Sequence, residues 1–392
     1  MEHLIHQRVK DMQITGIRRF SDVVAQHQDV VSLTIGEPDF PTPDYIKQAG
    51  ELAIRQNKTG YTHIAGLLEL REAAGHFLQQ QYGLTYDPIS EIIITNGATE
   101  AIAAAMRTIL DEGSEVILPG PVYPGYEPVI SLCGAVPVYI DTRDTDFLVT
   151  AEMIQAKITD KTRCIVLAYP SNPTGSVLDE QCVREIAELL SDKDIFVLSD
   201  EIYSELTYEK NHFSIGSIPC MRNKTITING LSKSHAMTGW RIGLLCGPAY
   251  LAKEMLKVHQ YNVICPSAVS QFAALAALQT DHDCTESMKA AYRERRDYVY
   301  DRLIAMGMDV AKPAGTFYMF PSIRKFQLPS QEFALQLLEQ AKVAVVPGDA
   351  FSEMGEGYIR ISYSYSMEKL EAALNRMETF LQLLAERLKE SS

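Results

Sequence analysis

Between residues 91 and 246, short β-branched or apolar runs alternate with amphipathic stretches, and this alternation limits the possible folds more than any other feature. The runs at 91–95, 115–118, 136–140, 163–168, 195–199, 225–228 and 242–246 read as strands. Among the intervening stretches, apolar residues at 102, 103, 105, 106 and 109 give one helical face, and 179–190 gives another. Strands that alternate with helices predict an α/β architecture, with a mainly parallel sheet buried between helices. In such sheets ligands gather at the carboxyl ends of the strands.

After residue 280 the texture changes. A charged helix is expected from about 284 to 306, a strand-like stretch at 315–320 and a helix from Ser330. Two more strands at 344–346 and 358–363 precede a last helix from Met367. A chain of 392 residues can hold a large and a smaller unit. The expected division is a large unit over 46–280 and a smaller α+β unit over 281–392. An arm over 1–45 joins the smaller unit. In that arm the sequence predicts one short N-terminal helix, loop and strand at 14–17 and 32–39, and an extended crossing at Pro41 and Pro43. A helix then starts near Asp44.

A formal net charge of −14 with no basic patch excludes a nucleic-acid partner. The uncharged run 260–280 holds Asn262 and Pro266, so it predicts an interior helix and no membrane association. Seven cysteines, an odd number without a Cys-x-x-Cys pair, predict buried free thiols in a reducing compartment. With a polar stretch at 1–10, the expected location is cytoplasmic. The nine histidines show no metal-ligand spacing.

The strand ends carry the chemistry. Lys233 lies between the strands predicted at 225–228 and 242–246, in what reads as a tight loop, and Arg241 follows eight residues later. A lysine bonds a carbonyl only as the free amine, which requires a desolvated or cationic setting. An arginine supplies the fork that phosphate favours. Asp200 closes its strand 33 residues before Lys233, and a carboxylate buried there needs a cationic or hydrogen-bonding partner. Asn172 stands in Tyr169-Pro170-Ser171-Asn172-Pro173-Thr174-Gly175, where prolines and a glycine fix the backbone path. Gly97, Ala98 and Thr99 open a helix whose free amides suit an anion. Tyr123 offers a ring for stacking, or a core aromatic. Arg360, inside an apolar strand, needs an anion, either a structural carboxylate or that of a substrate.

The run from Gly230 to Gly243, with Lys233 and Arg241, resembles the pyridoxal-phosphate lysine signature of the class I/II aminotransferases. Asn172-Pro173-Thr174-Gly175 after a strand resembles the same family, and the likeness runs from the arm to the last helix. The resemblance implies the fold type I architecture of pyridoxal-phosphate-dependent transferases, with a seven-stranded sheet. It implies pyridoxal 5'-phosphate as cofactor, and an amino acid and a 2-oxo acid such as 2-oxoglutarate as small-molecule partners. Lys233 would bond the cofactor and shuttle the proton. Asp200 would hold the pyridine nitrogen, Asn172 and Tyr203 the ring oxygen, and Tyr123 the ring face. Gly97, Ala98, Thr99, Ser232 and Arg241 would hold the phosphate, and Arg360 the substrate carboxylate with Gly36 and Asn172 nearby. Tyr61 would reach a neighbour's phosphate, which implies a homodimer with shared sites. Gly230 departs from the many relatives with serine three residues before the lysine, which shifts phosphate binding towards Ser232 and Arg241. A carbon–sulfur β-lyase uses the same scaffold, and the residues leave that outcome open. A non-catalytic member would need a broken Lys233, Asp200 or Arg360, and none is broken.

Overall fold

The computed structural model describes residues 1–279 and 284–390. A short strand β1 (Val31–Ser32) lies in the arm. Seven strands then build one sheet: β2 (Ile92–Thr95), β3 (Glu115–Gly120), β4 (Val136–Asp141), β5 (Thr162–Leu167), β6 (Phe196–Asp200), β7 (Thr225–Gly230) and β8 (Gly243–Cys246). Their order is β2-β8-β7-β6-β5-β3-β4, and every pairing is parallel except those of β8 with β7 and β2. Both faces are covered, which is why the strands read as unbroken apolar runs. Along β3, Val116 and Leu118 pack with Ile102 and Met106 of the helix Ala98–Ile109. Ile117 turns the other way, towards Ile186 of the helix Glu180–Leu190. That second helix starts where Asp179 caps it, accepting a hydrogen bond from the Cys182 amide at 2.9 Å.

The remaining strands are β9 (Tyr318–Met319), β10 (Val343–Ala344), β11 (Val346–Pro347) and β12 (Ile359–Ser362). β11, β12 and β9 form an antiparallel sheet, and β1 pairs in parallel with β10. Phe20 and Leu33 of the arm share a core with Tyr292, Phe333 and Leu374. The division expected at 280–281 lies outside the described residues. No described helix is long and apolar enough to cross a membrane.

Several expectations need correction. Lys233 sits in a helical turn, Leu231–Ser234, and not in a plain loop. Ile17 belongs to the helix Gly16–Val24, which begins where Thr15 accepts a hydrogen bond from the Arg18 amide. Only Tyr318 and Met319 of 315–320 are strand. The uncharged run spans the end of the helix Ala249–Val263 and the helix Ala268–Gln279, separated at Pro266. Free thiols are present, but of those described only Cys164 and Cys246 are buried, and Cys220 is exposed.

Candidate active site

The carboxyl ends of β2, β3, β5, β6 and β7 open on one edge of the large sheet. β8 runs backwards, so its first residues return to that same edge. A cavity of about 420 Å³ lies there. It is lined by Gly36, Ala98, Thr99, Tyr123, Asn172, Asp200, Tyr203, Ser232, Lys233, Arg241 and Arg360. Of the residues singled out in the sequence, Gly97 lies just behind this lining and Tyr61 lies away from it, 85% exposed.

Lys233 is carried by the turn Leu231–Ser234, directly after β7, and its ammonium donates to the Gly36 carbonyl at 2.5 Å. Burial pushes its pKa down to about 8. Glu37 and Asp200 oppose that shift, while Arg360 and Arg241 add to it. Asp200 is the last residue of β6, one strand away, and burial lifts its carboxyl to about 6. Two donors resist that rise. The Tyr126 hydroxyl donates to Oδ2 at 2.6 Å, and the Ile202 amide to Oδ1 at 3.2 Å. Tyr126 was not singled out in the sequence. It reads there as a second aromatic beside Tyr123, and its aim at Asp200 follows from how the helix Tyr126–Leu132 packs on the sheet.

The helix Ala98–Ile109 points its first turn at the cavity, and orphan amides there suit an anion. Gly97 precedes it with φ +83°, and a Cβ at that position would land on the Arg241 guanidinium. Arg241 itself is left-handed at φ 56° and donates to the Thr238 carbonyl at 3.0 Å. Glycine at 97 is thus what lets arginine and helix start converge. Gly230 has extended backbone; a Cβ there would stand 3.0 Å from the Ile242 carbonyl oxygen and 3.1 Å from Ile202 Cδ1. The buried Ser232 lines the cavity instead.

Arg360, 2% exposed, comes from β12 of the smaller sheet. It donates to Asn172 Oδ1 at 2.9 Å and to the Thr34 carbonyl at 2.8 Å. Tyr318 and Phe351 flank the guanidinium at 4.2 and 5.0 Å from their ring centroids. Arg360 forms no ion pair among the described residues, and its buried Nε has no partner. An orphan donor of this kind costs about 1–3 kcal/mol. A carboxylate entering the cavity would relieve that cost. Tyr203 and Tyr318, both buried, share a hydroxyl–hydroxyl contact of 2.9 Å beside it. Tyr318 also escaped the sequence reading, because a tyrosine in an apolar strand carries no signal of its own.

Together these groups can hold a phosphate at one end, an aromatic cation over Asp200, a carbonyl at Lys233 and a carboxylate at Arg360. The family described as aminotransferase class I and II matches residues 28–377. The chain is a class I and II aminotransferase. A relative from Bacillus subtilis, named as a probable N-acetyl-LL-diaminopimelate aminotransferase, is 55% identical over 97% of this chain and 96% of its own. An aspartate aminotransferase of Pyrococcus abyssi is 42% identical over 93% of this chain and 95% of its own. Among solved structures, the aromatic aminotransferase of Pyrococcus horikoshii superposes with a TM-score of 0.89 at 41% identity, covering 94% of this chain and 99% of that one. The architecture is accordingly fold type I. As a member of this family, the aminotransferase is a pyridoxal-5'-phosphate-dependent transferase.

Proposed function

We propose that this aminotransferase exchanges an amino group between N-acetyl-L,L-diaminopimelate and 2-oxoglutarate, as lysine biosynthesis requires. The relative at 55% identity supports that substrate, and the unpartnered Arg360 Nε opposite Lys233 supports a carboxylate-bearing amino acid in general. In this reading Gly97, Ala98, Thr99, Ser232 and Arg241 hold the cofactor phosphate. Tyr123 covers the ring face, while Asn172 and Tyr203 donate to its oxygen. Asp200, kept anionic by Tyr126, pairs with the ring nitrogen. Bound pyridoxal phosphate supplies an electron sink for the pair left at the substrate α-carbon when its proton departs. Arg360 takes the α-carboxylate in its fork, with Gly36 and Asn172 alongside, and so turns the α-hydrogen towards Lys233. Lys233 Nζ, whose lowered proton affinity leaves much of it as free amine near pH 8, accepts that proton and gives it back during the exchange. We further propose a cytoplasmic homodimer in which Tyr61 reaches the phosphate of the neighbouring subunit. The chain would divide as 46–280 for the cofactor, and 281–392 with the 1–45 arm for closing over it.

The visible absorption spectrum of the purified protein tests this. N-acetyl-L,L-diaminopimelate and glutamate should each bleach the band of Lys233-bound cofactor, and 2-oxoglutarate should restore it. Bleaching by aspartate or aromatic amino acids alone would reassign the substrate. Pyruvate accumulating from cystathionine would replace transfer by β-elimination. No band after adding pyridoxal phosphate would end the Lys233 assignment.

A further inference from the structure

Asp200 and Glu201 are consecutive carboxylates at the end of β6, and only the first lines the cavity. Glu201 has no exposed surface at all. Its backbone amide donates to the Ile228 carbonyl at 2.8 Å, tying the end of β6 to β7, the strand that leads to Lys233. Its side chain meets a small polar nest. Ser199 and Ser214 donate to Oε1 at 2.7 and 2.5 Å. His212 Nε2 stands 3.2 Å from Oε2, and its side chain is 6% exposed. The two atoms lie within ion-pair distance but form no hydrogen bond, either with each other or with another described residue. The imidazole is set in place by the edge of the Tyr82 ring, 5.6 Å between centroids.

A carboxylate buried this completely is costly unless it is compensated, and removing one member of such a pair leaves the other as an uncompensated charge. Here the uncompensated charge would sit one residue from Asp200. We propose that Glu201 and His212 form a positioning pair behind the sheet, which anchors the end of β6 and screens a second negative charge from Asp200, so that Asp200 stays fixed and anionic under the pyridine nitrogen. The proposal rests on the cofactor reading given above. Glu201 is among the influences that raise the proton affinity of Asp200, in line with the need for a compensating imidazole. Other ionisable groups facing the pair are the Tyr82 and Tyr86 phenols, Glu205, the Cys246 thiol and Arg222. Arg222 is engaged with Glu91 at 2.6 Å, so His212 is the group placed to answer Glu201.

The test compares the affinity of cofactor-free protein for two probes: pyridoxal 5'-phosphate, and its analogue with carbon in place of the ring nitrogen. His212→Asn should weaken pyridoxal phosphate binding on the order of ten- to a hundredfold, the range seen when a group that orients a ligand from behind is lost. The carbon analogue, which makes no bond to Asp200, should bind the variant as it binds the parent. Adding Glu201→Gln to His212→Asn should recover most of the loss, because it removes the stranded charge. Equal weakening of both probes, or no recovery in the double variant, would overturn the proposal in favour of a purely structural role. Circular dichroism and melting curves of each cofactor-free variant report folding separately. If Asp200→Asn in the otherwise unchanged protein affects both probes alike, the cofactor reading itself fails, and that result is distinct from either outcome at His212.

Discussion

Asp200 pays for its function with stability. Its carboxyl is lifted from 3.8 to about 6, so folding disfavours the anion. Such a group destabilises the protein fully above pH 6 and not at all below about 3.8. Asp200→Asn should therefore raise the melting temperature of the cofactor-free protein at pH 7, by up to about 3 kcal/mol of stability, and leave it unchanged in acid. The same substitution should abolish useful cofactor chemistry. Burial shifts Lys233 in the opposite direction. Its free-amine fraction grows as pH rises through about 8, so borohydride trapping of pyridoxal on the cofactor-free protein should rise with a midpoint near 8. Glu37→Gln removes a charge that raises this pKa, and the midpoint should move down; an unmoved midpoint would place Glu37 outside the field of the amine. Lys233, Asp200, Asn172 and Arg360 were legible in the sequence because each stands at a strand end or inside an apolar strand, where a polar residue demands a reason. Tyr126, Tyr318 and the Glu201–His212 contact were not. Their significance lies in which side chain they meet, and that is settled by packing between segments far apart in the chain.

Among the elements, the helix Ala98–Ile109 shows how little room the anion site leaves. Gly97→Ala forces alanine into a positive-φ, extended-ψ conformation that essentially only glycine adopts, costing about 1–3 kcal/mol, and drives a methyl into Arg241. Phosphate and pyridoxal-phosphate affinity should fall at least tenfold, measured by titration of the cofactor-free protein. Gly230→Ser is the informative contrast. Its backbone is extended, but a Cβ would crowd the Ile242 carbonyl oxygen at 3.0 Å and Gly243 Cα at 3.3 Å, so it should fold with a loss of about 1–3 kcal/mol. The strands of the large sheet were readable because both of their faces are buried. The turn carrying Lys233 was not, since four residues are too few to show a helical period. The helix Gly16–Val24 does carry a signal in the sequence: Thr15 as a cap, followed by apolar positions at 17, 20, 23 and 24.

For the whole molecule, the exposed Tyr61 supplies the decisive experiment on sharing of sites. Lys233→Ala and Tyr61→Ala chains should each be defective alone. Mixed under conditions that exchange subunits, they should regain one intact site per mixed pair, up to a quarter of the parental activity in an equal mixture if each mixed pair contributes half. No recovery would mean that Tyr61 serves its own chain or none. The chain is also ordered in time. The anion-binding edge is complete once β8 has closed against β2, at Cys246. Arg360, proposed above as the carboxylate clamp, comes much later, and Val31 has to wait for Val343 before β1 finds its partner. During synthesis on the ribosome, the large sheet can therefore assemble before the smaller sheet that carries Arg360, while the arm's apolar residues remain in need of shelter.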